Sequence, residues 1–293
     1  MRTARRERLE HPFPMVRVVD RALEHGEAGP AFVWDIDKTY LDTRFSQLRD
    51  LARIPFEFGI DKRALPGSVP LLHALREGPR GGEHRPLFFV SASPPLLAPA
   101  IERKMLLDGI EWDGVTYKDV ARIILRGGAR RLRQQLAFKL GALLVLAGEL
   151  PEGMRLYLFG DDVEEDALIY ALFADVAAGR LRGEALARTL RHSGVRPADA
   201  RELVSAAEPL PNHELVEEIH LRLERHPDGA TIAPFSPRVF GHQTFGGTAK
   251  HLAQRGVITA AEAGRVVAAA GASESHHGSA RDDGWFLPEA RRG

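Results

Sequence analysis

Three segments of the chain run apolar without alternation and then stop abruptly in polar residues: "AFVW" before Asp35, "PLFFV" before Ser91, and "RLYLF" before Gly160 and Asp161. Unbroken runs rich in β-formers suit strands covered on both faces, as in a parallel sheet. Between them lie stretches with helical character, "SVPLLHALREG" at 68–78, "PPLLAPAIERKMLLDGI" at 94–110 and "QQLAFKLGALLVLAGEL" at 134–150. Strand and helix alternate, which predicts an α/β fold, a Rossmann-like doubly wound parallel sheet. Gly/Pro punctuation in "EGPRGGEHRP" at 77–86, in "PGS" at 66–68 and in "ELPEG" at 149–153 marks loops and turns. From about residue 170 the text becomes Ala/Leu/Arg-rich, and "NHELVEEIHLRLERH" and "TAKHLAQRGVITAAEAGRVVAAAG" also read as helix. The predicted organisation is an N-terminal helical extension over 1–29, an α/β core over 30–180, a helical C-terminal region over 181–270 and a loose polar tail over 271–293.

Composition narrows the classes without naming one. The chain has 293 residues and 44% apolar content, enough for a substantial core, and its 40 basic and 40 acidic residues cancel. A neutral molecule has no overall field to draw it onto nucleic acid or an anionic membrane, so no nucleic-acid partner is expected. The absence of cysteine removes disulfides, thiolate nucleophiles and cysteine-ligated zinc. "MRTARRERLEHPFPMV" has no apolar stretch behind its arginines and does not read as a signal peptide, and the longest apolar run, "GALLVLAG", is too short to span a bilayer. The expectation is a cytoplasmic protein with no transmembrane segment.

The strand ends carry the chemistry. In open parallel sheets ligands sit outside the carboxyl ends of the strands, where loops and helix N-termini converge. Asp35, Ser91 and Asp161 each stand at such an end, and Asp35 and Asp37, two apart on an extended segment, face the same way. A single aspartate in such a place is read first as a turn or cap residue. Here "GDDVEED" adds Asp161, Asp162, Glu164, Glu165 and Asp166 at one strand-to-helix junction. Two like charges at about 4 Å repel by roughly 4 kcal/mol at an effective dielectric of about 20, so carboxylates gathered in one cleft call for a cation. Oxygen-only donors point to a hard ion, Mg²⁺ before Zn²⁺. Such an ion beside an attacking aspartate suits phosphoryl transfer. Ser91 and a lysine are candidates to hold the phosphoryl oxygens, the lysine being Lys139, at the start of an apolar helix, or Lys118 in "DGVTYKD". Taken alone, Lys118 reads as a surface lysine with its stem laid along the protein.

"DIDKT" at 35–39, Ser91 in "FFVSASP", Lys139 and "GDDVEED" at 160–166 resemble, in order and context, the four motifs of the haloacid dehalogenase-like phosphohydrolases. Within that superfamily "FVSASPP", "AFKLGALL" and "YLFGDDVEEDALIYAL" are similar to the actin-patch-associated phosphatidate phosphatase catalytic domain. The resemblance covers roughly residues 30–175. It implies that Asp35 is the nucleophile that forms an aspartyl-phosphate, that Asp37 is the general acid and base, and that Thr39 orients the loop. Ser91, Ser93 and Lys139 would bind the substrate phosphoryl. Mg²⁺ would be held by Asp35, the backbone carbonyl of Asp37, Asp161 and Asp166, with Asp162 competing for the last place. It further implies a strand with an isoleucine-rich run after "ALIYALF", where this sequence has Ala/Arg-rich helical text.

Neither interval that would hold a cap, residues 40–64 or 94–138, has room for a full domain, so a minimal cap and a bulky phosphoester substrate, phosphatidate-like, are expected. Arg122, Arg126 and Arg130 recur every four residues and would form a basic stripe for peripheral contact with an anionic surface. The adjacent histidines of "SHHGS" at 275–279 read as tail, and the Gly-Gly of "FGHQTFGGTAKHL" at 240–252 as a helix start or an anion-binding turn. Two other readings of the chain are a catalytically weak binding or scaffolding protein, and a phosphatase of sugar phosphates, nucleotides or nucleic-acid ends.

Overall fold

The computed structural model describes residues 7–10, 13–41, 63–125, 135–163, 165–225 and 238–274. Its centre is an eight-stranded sheet made of β1 (Glu7–Glu10), β2 (Met15–Val19), β3 (Gly29–Asp35), β4 (Leu87–Ser91), β5 (Gly114–Lys118), β6 (Met154–Asp161), β7 (Val216–Arg222) and β8 (Val239–His242). The order across the sheet is β1-β2-β5-β4-β3-β6-β7-β8. The six strands from β5 to β8 are parallel, whereas β1 and β2 join antiparallel at one edge. The three apolar runs read from the sequence are β3, β4 and β6, adjacent at the middle of the sheet and buried on both sides.

Successive side chains of each strand go to opposite faces, and two cores result. Ala31 and Val33 face one core with α4 (Gln135–Glu149), α5 (Asp166–Ala177), α6 (Gly183–His192) and α7 (Pro197–Ala207). Phe32 and Trp34 face the other with α1 (Ser68–Glu77), α2 (Ala98–Leu107), α8 (Phe245–Gln254) and α9 (Ala260–Glu274). A short helix, α3 (Val120–Leu125), follows β5. Trp34 stacks on Phe159 at 4.5 Å between ring centroids and meets Phe245 of α8 at 5.4 Å, which ties the C-terminal helices to the central strands.

Both flanking regions differ from the expectation. The N-terminal region, expected as helix, supplies β1 and β2. "MVRVV" is apolar except for one residue, and that residue is buried: Arg17 is 3% exposed, pairs with Glu149 of α4 at 2.6 Å and donates to the Thr116 hydroxyl at 3.2 Å. The C-terminal region is not purely helical either. "VEEIHLR" is β7 and "VFGH" is β8, so the sheet continues beyond residue 180 and the strand implied by the resemblance is present, with Ile219 at its centre. Glu218 and His220 gave this stretch a helical look, yet both are buried and hydrogen-bonded to one another. The 40–64 cap interval lies largely outside the described residues, as does most of the tail. Among the described residues no helix is long and apolar enough to cross a membrane.

Candidate active site

The parallel strands end together at one edge, where β3 delivers Asp35, β4 Ser91 and β6 Asp161. All three are fully buried. α4 returns toward β6 with its N-terminal turns at the same edge and brings in Lys139, itself 1% exposed. Its ammonium lies 2.9 Å from Asp35 Oδ1 and 2.5 Å from Asp166 Oδ1. Asp166 is the first residue of α5, where a carboxylate is favoured by the helix dipole, and its second oxygen accepts the amide of Asp161 at 3.2 Å. One oxygen each of Asp35, Asp161 and Asp166 falls within 4.8 Å of the others. Three buried carboxylates thus converge around one lysine.

Gly160 makes this approach feasible. A Cβ built there would stand 2.9 Å from Asp166 Cβ and Cγ, closer than packed atoms come. Asp162 is occupied elsewhere: its side chain accepts the amides of Glu224 and Arg225 at 2.7 and 3.0 Å and fastens the end of β7. Asp166, rather than Asp162, therefore shares the cluster with Asp35.

After Asp35 the chain turns sharply, with the amides of Tyr40 and Leu41 both on the Ile36 carbonyl at 3.1 and 3.0 Å. Lys38 sits in the left-handed region at φ 61°, uncommon for a residue with a side chain, and it reverses the chain there. Thr39 is buried within this turn, and its hydroxyl has no partner among the described residues. Asp37 is half-buried at the mouth. The Ser91 hydroxyl donates to it at 3.1 Å and the Ser93 hydroxyl at 3.4 Å, so both serines hold Asp37 in this structure.

Two neighbouring groups were not read from the sequence. Arg222, at the end of β7, donates to the Lys38 carbonyl through Nη2 at 3.0 Å and Nε at 3.2 Å, clamping the turn between Asp37 and Thr39. The signal for it would have been recognising β7 as a strand. Tyr170 of α5 donates to the Phe159 carbonyl at 3.1 Å, and burial, followed by the Asp166 charge, pushes its phenol well above the ordinary range. Lys118 departs from its expected surface position. It is 1% exposed, with its ammonium 5.9 Å from the Phe138 ring centroid. Of the basic stripe, Arg122 lies beside Asp119, whose carboxylate accepts its amide at 3.0 Å, while Arg126 and Arg130 lie outside the described residues.

No curated protein matches the chain. A solved structure from Mesorhizobium loti named as a HAD-like phosphatase is 15% identical and superposes with a TM-score of 0.36 over 67% of this chain and 97% of that one. Residues 31–184 match the family described as phosphatidate phosphatase APP1, catalytic domain. That span runs from β3 through α5, includes every carboxylate of the site and exceeds half of the chain, and the protein is a phosphatase belonging to that family.

Proposed function

We propose that this phosphatase is a Mg²⁺-dependent phosphomonoesterase that works through an aspartyl-phosphate on Asp35 and takes a bulky, phosphatidate-like substrate. The observation that carries the reading is the Lys139 ammonium set between Asp35 and Asp166, with Asp161 alongside. The donor set suits the ion: among the described residues three buried carboxylates gather about one lysine, and all the donors are hard oxygens. Asp35, Asp161 and Asp166 would hold it, with the backbone carbonyl of Asp37 as a further oxygen. When bound, the ion supplies charge neutralisation for an incoming phosphate.

The protein groups then divide the work. Asp35, fixed by Lys139, presents its other oxygen to phosphorus, and the ester bond breaks as the Asp35–phosphorus bond forms. The alkoxide leaves with a proton from Asp37, which Ser91 and Ser93 hold at the mouth. Asp37 afterwards removes a proton from the water that cleaves the acyl-phosphate, returning Asp35 as carboxylate and releasing inorganic phosphate. Lys139 offsets charge on the transferring phosphoryl group. Arg222, through the Lys38 carbonyl, keeps Asp37 in register with Asp35.

The family supports the phosphatidate-like substrate, and so does Leu96, 78% exposed and three residues beyond Ser93, an apolar side chain close in sequence to the mouth. The test is a panel of phosphatidate in mixed micelles, glycerol phosphate, a nucleoside monophosphate and a 3′-phosphorylated oligonucleotide, each with and without Mg²⁺. Phosphatidate should lead, turnover should vanish on chelation, and Asp35→Asn should be inactive on all. Equal turnover by Asp35→Asn would remove the nucleophile assignment, and preference for a small phosphate would remove the substrate class.

A further inference from the structure

A second cluster of ligating side chains lies outside the carboxylate site, in the C-terminal part of the sheet. Glu218 and His220 stand two apart on β7 and share a face, His242 ends β8, and His251 is on α8. All four are buried. Nε2 of His220 and Nε2 of His251 each lie 3.1 Å from the same oxygen, Glu218 Oε2, and the three atoms fall within 4.8 Å of one another. The rings of His220 and His251 meet at 5.3 Å, and the His242 ring is 5.7 and 5.8 Å from them. Phe159 and Phe240 wall the cluster, with centroids 5.0 and 5.8 Å from His220.

Hydrogen bonding within the cluster does not account for its composition. Neutral imidazole carries one N–H, and among the described residues neither ring nitrogen of His242, nor Nδ1 of His220, has a partner, though all three are buried. Buried polar atoms are ordinarily paired, and three orphaned ring nitrogens among adjacent histidines are out of keeping with that rule. Around a tetrahedral ion with bonds of about 2.0–2.2 Å the ligand atoms stand roughly 3.3 Å apart, close to the observed spacing of the two histidine nitrogens from Glu218. The other Glu218 oxygen accepts Arg255 Nε at 2.8 Å, the outer hydrogen bond that a ligating carboxylate commonly has.

We propose that Glu218, His220 and His251 bind one Zn²⁺-class transition-metal ion at a buried site joining β7 and α8, with the His242 ring packed beside it. Nitrogen-rich ligands distinguish it from the oxygen-only carboxylate cluster and select against Mg²⁺. All three ligands are buried on β7 and α8, so the expected role is to fasten α8 to the outer strands.

The experiment uses the full, untagged chain carrying His276→Ala and His277→Ala to remove the adjacent tail histidines, stripped with chelator and titrated with Zn²⁺ and with Co²⁺. One equivalent of Zn²⁺ should bind and raise the melting temperature, and Co²⁺ should give the intense visible bands of tetrahedral coordination. The same signature should survive in Asp161→Asn, which alters the carboxylate site. Glu218→Gln and His251→Ala should each weaken Zn²⁺ binding at least tenfold, with folding checked by circular dichroism. If those variants do not fold, the Co²⁺ spectrum of the parent chain decides. Failure of the parent chain to bind Zn²⁺, weak octahedral Co²⁺ bands, or unchanged affinity in folded Glu218→Gln would each overturn the site.

Discussion

Replacing Lys139 with methionine keeps the apolar stem and removes the one cation described between Asp35 and Asp166. At an effective dielectric of about 20, each contact of the ammonium, at 2.9 and 2.5 Å, corresponds to roughly 6 kcal/mol of attraction, and each carboxylate pair at about 5 Å to roughly 3 kcal/mol of repulsion. These are gross terms, opposed by the desolvation of Lys139, which the variant no longer incurs. Removing one partner of a buried ion pair typically costs about 3–5 kcal/mol, and a net loss in that range is expected for Lys139→Met at pH 8. The fully buried carboxylates must then relax by taking up a proton, so the folded variant binds more protons than its unfolded chain. Stability therefore falls as pH rises, and the deficit against wild type should be smaller at pH 5 than at pH 8. Urea denaturation of both proteins at the two pH values, with and without Mg²⁺, measures this directly. Added Mg²⁺ should recover part of the loss, because it replaces positive charge in the cluster, while phosphatase turnover stays at least 100-fold down. A loss below about 1 kcal/mol, flat with pH, would refute the view that Lys139 is the counter-ion of a crowded carboxylate cluster.

Gly160→Ala should lower turnover at least tenfold, measured with Mg²⁺ at saturation, because the new Cβ would collide with Asp166 and displace it from Lys139 and from the Asp161 amide. Arg222→Leu removes both hydrogen bonds to the Lys38 carbonyl and should reduce kcat more than it raises KM, since the turn it holds carries Asp37 and Thr39 rather than a distant part of the substrate. For alkaline pH the sign follows from Tyr170, whose phenol stays protonated in the fold above pH 10 while the unfolded chain ionises. The folded state then holds the extra proton, and stability should fall by up to about 1.4 kcal/mol per pH unit beyond 10. Burial also raises the phenols of Tyr40 and Tyr157, so Tyr170→Phe should make that limb less steep by the share of one phenol in melts run from pH 8 to 11.

The readable part of this fold was the part whose polar residues lie at element ends. β3, β4 and β6 are apolar runs that stop at Asp35, Ser91 and Asp161, so the strands, their parallel packing and the edge where these residues meet all followed from one pattern. The spacing of those residues could not assign the second acid, because Asp162 and Asp166 stand equally well at a strand-to-helix junction. The deciding facts are long-range: Asp166 meets Lys139 from another helix, and Asp162 caps the end of β7. The strands missed were those with polar residues in the middle. β2 carries Arg17, whose charge is met by Glu149 on α4, and β7 carries Glu218 and His220, which bond to one another and, through Glu218, to His251 on α8. Hydrophobic periodicity assumes that a polar residue faces water, and it fails wherever a buried polar residue is paired by chain far away in sequence.

That failure in β7 bears on function. Along one face this strand presents Glu218 to His251 of α8, His220 to the His242 ring of β8 and then, at its end, Arg222 to the Lys38 carbonyl. A strand built to close the sheet alone would gain more from apolar residues at 218 and 220, which need no partners. Retaining a carboxylate there fixes β7 against α8 through directed bonds to His251 and to Arg255 just beyond that helix. The same strand sets the reach of Arg222 to the Lys38 carbonyl, so its placement is coupled to the alignment of Asp37 with Asp35. The C-terminal region, which the sequence presented as a helical appendage, is in these terms an outer support of the edge where Asp35, Asp37 and Asp161 gather.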